Sequence, residues 1–346
     1  MVNQVYIRVD GNEIIATGHV MRCLSIAEQM RKMGTEVTFV VADDRPENLI
    51  RSRGFDVNVL GTVWNDLDKE TEILCTYTKE HSVEVLLLDS YYVTEDYLKK
   101  LSYYTKIVYI DDLYRFAYSV DTVINYSVFA DISLYKRLYQ PSGLNTHFLI
   151  GGRYVPLRNE FALKPFKVQP QVEKVLITTG GTDQLNIAGN LLQAVIGNCE
   201  LCKLDYHVIV GCFNQNREIL HSLADLYPNI HLHEKVENMA EWMRFCDVAV
   251  SAAGTTTYEL CACGIPSVCL EVADNQEGAK LWEEKGYMLY AGNACKETGK
   301  CIEKCIEALL FYKNYYGERK ERSNRMQSLV DGCGAKRIAE YIVNGC

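Results

Sequence analysis

Val83-Glu84-Val85-Leu86-Leu87-Leu88-Asp89 is the stretch on which the fold turns. After Glu84 no polar residue alternates with the aliphatic ones until the closing acid. A strand with one wet face alternates, whereas a strand covered on both faces reads as a continuous apolar run. Lys106-Ile107-Val108-Tyr109-Ile110-Asp111 has the same form and also ends in an acid. Toward the N-terminus, residues 5–10 and 36–42 read as strands around a helix at 18–34, with Val20, Leu24 and Ala27 on one face. Residues 123–126 and 148–151 add two further strands. Strands separated by helix-length segments imply βαβ units and a parallel sheet.

The pattern lapses between residues 155 and 172, where Pro156, Pro165 and Pro170 are three of the seven prolines in the chain. Proline interrupts regular elements, so this stretch is expected to connect domains. Alternation then resumes with strands at 174–179, 206–210, 230–233, 248–251 and 267–272, and a charged helical segment at 315–343. The expected fold class is α/β, two Rossmann-like domains with a cleft between them. The expected boundaries are 1–155, a linker at 156–172, and 173–346, with the last helix able to pack back on the first domain. A chain of 346 residues suits two domains at about 150 residues each.

Composition narrows the partners. With 48% hydrophobic and 23% charged residues, the chain has the makings of packed cores. A net charge of −9 without a basic run argues against nucleic acid, which needs clustered Lys and Arg. The first ten residues read as a strand rather than a leader, and no apolar run reaches about 18 residues, so a cytoplasmic protein with no membrane span is expected. Twelve of the fourteen cysteines lie from Cys199 onward, and reduced thiols are expected for them. Cys199-x-x-Cys202 lacks a second pair at zinc spacing, so no metal and no cofactor are expected. No protein partner can be inferred.

In a doubly wound sheet, ligands bind beyond the carboxyl ends of the strands. That rule selects Thr17-Gly18-His19-Val20-Met21-Arg22 after the first strand. Gly18 permits close backbone approach. His19 falls in the first helical turn, where the helix dipole does not favour an imidazolium and a neutral general base is well placed. A histidine that merely packs at a helix start explains the position equally well. Gly180-Gly181-Thr182-Asp183 opens the second domain, with backbone N–H groups and a hydroxyl for a phosphate or sugar, and Gly181, Thr182 and Asp183 are expected to be substrate contacts. It is not the G-x-G-x-x-G fingerprint, so a nicotinamide is not supported.

Ser251-Ala252-Ala253-Gly254-Thr255-Thr256-Thr257-Tyr258-Glu259 runs from a strand into a helix. Gly254, Thr255 and Thr256 suit a diphosphate at a helix N-terminus, and Glu259 suits ribose hydroxyls. An acid in a first helical turn is also favourable without any ligand. Asn275 and Gln276 stand at the next strand end, either as ligand contacts or as ordinary caps. In the first domain, Tyr91 follows Asp89-Ser90, and Asp111-Asp112 ends the neighbouring strand; these acids are expected to bond loops or the histidine region rather than chelate together.

These segments together resemble the PseG-type UDP-sugar hydrolases, within the wider GT-B group that includes the MurG glycosyltransferases. The resemblance rests on Thr17-Gly18-His19-x-x-Arg22, Leu88-Asp89-Ser90-Tyr91, Ile110-Asp111-Asp112-Leu113, the stretch from Gly151 to Phe161, Gly180-Gly181-Thr182-Asp183, Glu259 and Asn275-Gln276. It implies hydrolysis of UDP-2,4-diacetamido-2,4,6-trideoxy-β-L-altropyranose in pseudaminic acid biosynthesis, with C–O cleavage and inversion. By the same resemblance, His19 activates water, Tyr91 lies near the reacting sugar, and Glu259 and Asn275 hold UDP. MurG-type enzymes carry a longer glycine-rich run where this chain has Ala16-Thr17, and a histidine where it has Asp274-Asn275-Gln276. Two alternatives remain: a GT-B glycosyltransferase with a UDP-sugar donor, and a non-catalytic nucleotide-sugar-binding protein.

Overall fold

The computed structural model describes residues 2–273, 276 and 278–346. The chain forms two compact units, residues 1–159 with 332–346, and residues 160–331.

The first unit holds seven strands: β1 (Gln4–Val9), β2 (Glu36–Val41), β3 (Asp56–Val59), β4 (Val85–Asp89), β5 (Lys106–Ile110), β6 (Thr122–Asn125) and β7 (His147–Ile150). All pair in parallel, in the order β3-β2-β1-β4-β5-β6-β7. Val85 and Leu87 enter one core with Ile7, Phe39 and the helix Gly18–Lys32, while Leu86 and Leu88 enter another with Tyr97, Leu98 and Tyr109. Both faces of β4 are therefore covered, which is why its sequence does not alternate.

The segment read as one helix at 315–343 divides into Tyr316–Leu329 and Gly334–Val343. Gly332 between them has φ +70°, a left-handed conformation that favours glycine. The second helix belongs to the first unit: Ile338, Ala339 and Ile342 are fully buried beside Val20, Leu24 and Ala27. Burying an isoleucine completely contributes roughly 1.5–3 kcal/mol. A Cβ at Gly334 would meet the Val155 carbonyl oxygen at 2.2 Å, so only glycine lets this helix start where it does.

The second unit holds β8 (Lys174–Thr178), β9 (Asp205–Val210), β10 (Ile230–Glu234), β11 (Val248–Ala252), β12 (Ser267–Glu271) and β13 (Leu289–Asn293), parallel in the order β10-β9-β8-β11-β12-β13. Val175, Ile177, Val248 and Val250 pack with the helices Ile187–Ile196 and Ala294–Asn314. Most of the stretch read as a linker packs into this unit. Arg244 donates to the carbonyls of Glu160 and Ala162, and Arg319 to those of Gln169 and Pro170. Two strands, β3 and β13, escaped the sequence reading. Both are sheet edges; Asp56-Val57-Asn58-Val59 alternates polar and apolar residues, and in β13 the apolar run stops at Ala291, giving way to Gly292-Asn293.

In each unit the chain winds outward in both directions from a central strand, leaving a switch point between β1 and β4 and another between β8 and β11. These are the positions where open α/β sheets bind ligands. No helix among the described residues is long and apolar enough to cross a membrane.

Candidate active site

The first switch point brings residues seventy positions apart into one cluster. The loop after β1 delivers His19 as the second residue of its helix, and β4 ends on Asp89. His19 Nδ1 lies 2.7 Å from Asp89 Oδ1. Arg22, one turn along the helix, donates Nε to Asp89 Oδ2 and Nη2 to Asp89 Oδ1, each at 2.5 Å. It also donates Nη1 to the Tyr126 hydroxyl.

Burial by itself would raise Asp89, but the charge and hydrogen bonds of Arg22, with His19 added, outweigh it and hold the carboxyl well below the usual range. Asp89 is thus an acceptor at both oxygens. Nδ1 of His19 therefore carries a proton and donates it to Asp89. Arg22 Nη2, 2.9 Å from the same Nδ1, is a second donor converging on the same oxygen rather than a donor to the ring. The second ring nitrogen, Nε2, is left with its lone pair in the neutral imidazole. A carboxylate that fixes the tautomer while the far nitrogen accepts a proton is the arrangement of a general base.

Tyr91 packs its ring edge-on against His19, centroids 4.7 Å apart, and donates its hydroxyl to Asp112 Oδ2 at 3.0 Å. Burial, then Asp112, raises the Tyr91 hydroxyl, so it stays protonated. Burial likewise raises Asp112, against the pull of Arg22 and Tyr91. Asp111 turns the other way, accepting from Tyr118, Tyr135 and the Leu113 amide at 2.8, 2.5 and 2.9 Å. The two consecutive acids hence serve different loops. Gly18 is exposed, and a Cβ there would meet no protein atom within 4 Å. The shallow pocket over His19 is also lined by Trp64, Ser90 and Tyr92. Trp64 comes from the loop after β3, where no local pattern marks it.

At the second switch point, Gly180 (φ +87°) and Gly181 form an exposed turn after β8. The carbonyls of Gly181 and Thr182 accept from the amides of Phe213 and Gln215 at 3.1 and 3.4 Å. A Cβ at Gly211 would meet the Gly181 oxygen at 2.3 Å, so Gly211 lets the loop after β9 buttress this turn. Nothing in a lone glycine after a strand distinguishes it in the sequence. Asp183, read as a substrate contact, has its carboxylate occupied: it accepts from the amides of Ile187 and Ala188 at 2.8 and 3.1 Å and so holds the start of the helix Ile187–Ile196. Thr182 is exposed beside it.

Gly254 and Thr255 precede the helix Thr256–Cys263, and Glu259 lies in its first turn. Gln276 bridges two loops: its Oε1 accepts the Val272 amide at 2.8 Å while its Nε2 lies over Gly254. Asn275 is outside the described residues. Gly254 and Thr256 are half-buried and Thr255 is exposed, and glycine and threonine backbone at a helix start suits an anion or a diphosphate. Among the described residues, no three His, Cys, Asp or Glu side chains group as metal ligands.

No family model matches the chain. It is 26% identical over 283 residues to an uncharacterised protein of Methanocaldococcus jannaschii, covering 77% of this chain and 55% of that one. It is 25% identical to the spore coat polysaccharide biosynthesis protein SpsG of Bacillus subtilis, covering 98% and 97%. It is 23% identical to a Helicobacter pylori protein described as a pseudaminic acid cytidylyltransferase and UDP-2,4-diacetamido-2,4,6-trideoxy-beta-L-altropyranose hydrolase, covering 86% and 49%. The chain thus spans about half the length of the first and third of these relatives. Among solved structures it is similar to Acinetobacter baumannii MurG, with a TM-score of 0.68, 14% identity and 99% of both chains covered. It is also similar to UDP-GlcNAc 2-epimerase from Neisseria meningitidis bound to UDP-GlcNAc, with a TM-score of 0.62, 14% identity and all of both chains covered. At these identities the likeness shows the fold: two Rossmann-like parallel-sheet domains of the GT-B kind.

Proposed function

We propose that the chain is an enzyme acting on a nucleotide-sugar and, more narrowly, that it hydrolyses a UDP-sugar with inversion, releasing UDP and the free sugar. The observation that carries this reading is the Asp89–His19 pair, which presents Nε2 as a base at the switch point of the first sheet. In the proposed mechanism, Nε2 takes a proton from water as its oxygen attacks the anomeric carbon, and the C–O bond to the diphosphate breaks. The diphosphate is already a good leaving group, so a second carboxylic acid is less necessary than in ordinary glycoside hydrolysis. The helix start at Thr256 and the turn at Gly180-Gly181 would stabilise the departing charge through backbone N–H groups. Glu259 and Asn275 are proposed to hold the nucleoside, Gln276 the diphosphate, and Tyr91 to face the sugar. The H. pylori relative supports a diacetamido-trideoxy sugar in pseudaminic acid synthesis, and SpsG supports surface polysaccharide more broadly.

The likeness to MurG favours a second reading equally, transfer of the sugar to an acceptor other than water, because the fold serves both. Incubation with a panel of UDP-amino-sugars in ¹⁸O-water, with no acceptor added, separates them. Hydrolysis predicts UDP release with the label in the sugar. Label in UDP would overturn C–O cleavage, release only after addition of an acceptor would establish transfer, and tight binding without turnover would remove both readings.

A further inference from the structure

We propose that Trp64 and Tyr92 form an aromatic wall beside His19 that receives the apolar face of an uncharged monosaccharide, so that this end of the substrate is selected by stacking and not by charge. The inference deepens the nucleotide-sugar reading and rests on it for the identity of the site.

Six residues carry the argument: Ile15, His19, Trp64, Ser90, Tyr91 and Tyr92 line one pocket. Its two acidic lining residues are occupied. Asp10 accepts from Arg8 Nη1 at 2.6 Å and from the Ala42 amide at 2.8 Å, and Asp89 is held by His19 and Arg22. Ser90 Oγ accepts the Tyr92 amide at 3.2 Å, which ties Tyr92 to the end of β4. The Trp64 and Tyr92 rings meet edge to face, centroids 5.3 Å apart and planes at 87°. That arrangement fixes two large rings at little entropic cost, because each turns about only two side-chain bonds. Neither ring is fully buried: Tyr92 is 37% exposed and Trp64 partly so. The exposed part of both rings faces the same pocket as His19, the proposed water-activating base. Their π faces suit C–H and methyl groups, and they offer nothing to a carboxylate or phosphate. Charged sugars and phosphates are therefore refused here, whereas pyranoses with methyl or acetamido substituents gain from desolvation against the wall. An apolar surface discriminates weakly against an added hydroxyl, by about a hundredfold at most, so the preference over a plain hexose is about 10- to 100-fold.

Saturation-transfer NMR on the full chain tests this with free N-acetylglucosamine, fucose, glucose and glucuronate as probes, alongside titration with UDP and turnover of UDP-sugars. The methyl protons of N-acetylglucosamine and fucose should take up the strongest saturation, and glucuronate none. Trp64→Ala should lower the methyl signal at least fivefold and kcat/KM for an acetamido-sugar donor about tenfold, with UDP affinity changed less than twofold. Trp64→Phe should keep most of both signals, and Tyr92→Ala should act like Trp64→Ala. Equal loss of UDP and sugar binding in Trp64→Ala, or unchanged saturation, would overturn the wall. Wild-type protein that saturates sugar methyls but never turns over a UDP-sugar would sink the enzyme reading and leave the wall standing. Turnover that persists unchanged in Trp64→Ala for methyl-bearing and plain sugars alike would do the reverse.

Discussion

At the switch point of the first sheet the loops carry a histidine, an arginine, two carboxylates and tyrosines bound into one network; at that of the second they carry glycines, threonines and a glutamine. The strand orders around the two points match, so topology does not make the difference. The side chains do. In the first unit, Asp89 and Arg22 are largely spent on setting the orientation of one ring, that of His19, on which the proposed chemistry depends. In the second, the proposed ligand groups are mostly main-chain N–H, and the Asp183 and Gln276 side chains bond the loops around them. Damage to the first site should thus appear in turnover and damage to the second in affinity.

The largest expected effect is that of His19→Asn, which removes the base and keeps a similar shape. Turnover should fall about 10²- to 10⁴-fold with UDP affinity within twofold, measured by UDP release and by titration. Activity that survives would take His19 out of the mechanism and collapse the contrast between the two sites.

Next is Asp89→Asn. An amide cannot enforce the Nδ1–H tautomer and leaves the Arg22 guanidinium with only the more distant Asp112 carboxyl, at 4.0 Å, so kcat should fall about 10²-fold or more while UDP binding holds. The variant should also unfold earlier, since a buried charge that loses its partner costs about 3–5 kcal/mol. A loss of stability with kcat intact would reduce Asp89 to a structural role.

Gly211→Ala acts on the other site. Its methyl group would push against the carbonyls of Gly180 and Gly181, at 2.6 and 2.3 Å, and shift the turn. UDP affinity should drop roughly tenfold, about 1.4 kcal/mol, with kcat at saturation little changed. If kcat fell instead and affinity did not, the assignment of nucleotide binding to this turn would be wrong.

The smallest effect separates the units by acid. Burial, reinforced by His231 and His233, pushes His207 down to about 4, where an unfolded chain has about 6.5. A lowered histidine contributes stability above its unfolded value and loses it as pH falls. The second unit should therefore weaken between pH 6.5 and 4, with a slope approaching about 1.4 kcal/mol per pH unit. Asp89, lowered from the ordinary carboxylate range, contributes stability that is lost only below about pH 4. Urea unfolding across this range should show a decline that His207→Gln flattens; an unchanged slope in that variant would remove His207 as its source.

The sequence revealed the core strands because a parallel strand covered on both faces must be apolar throughout, as in Val85–Asp89 and Lys106–Ile110. It placed His19 at a helix start and the glycine turns at strand ends, because those features depend on neighbours in the chain. It did not disclose β3 or β13, whose edge positions relax that demand. Nor did it show that Asp89 selects the tautomer of His19, that Asp183 serves its own helix, or that Gly211 supports a turn thirty residues earlier. Only the tertiary structure decided these points. Hydrogen bonds and close approaches between distant segments depend on which strands become neighbours, and strand order leaves no periodic trace in the residues themselves. For His19, local chemistry supplied a group able to accept a proton; the β1–β4 junction supplied the carboxylate that decides which nitrogen does so.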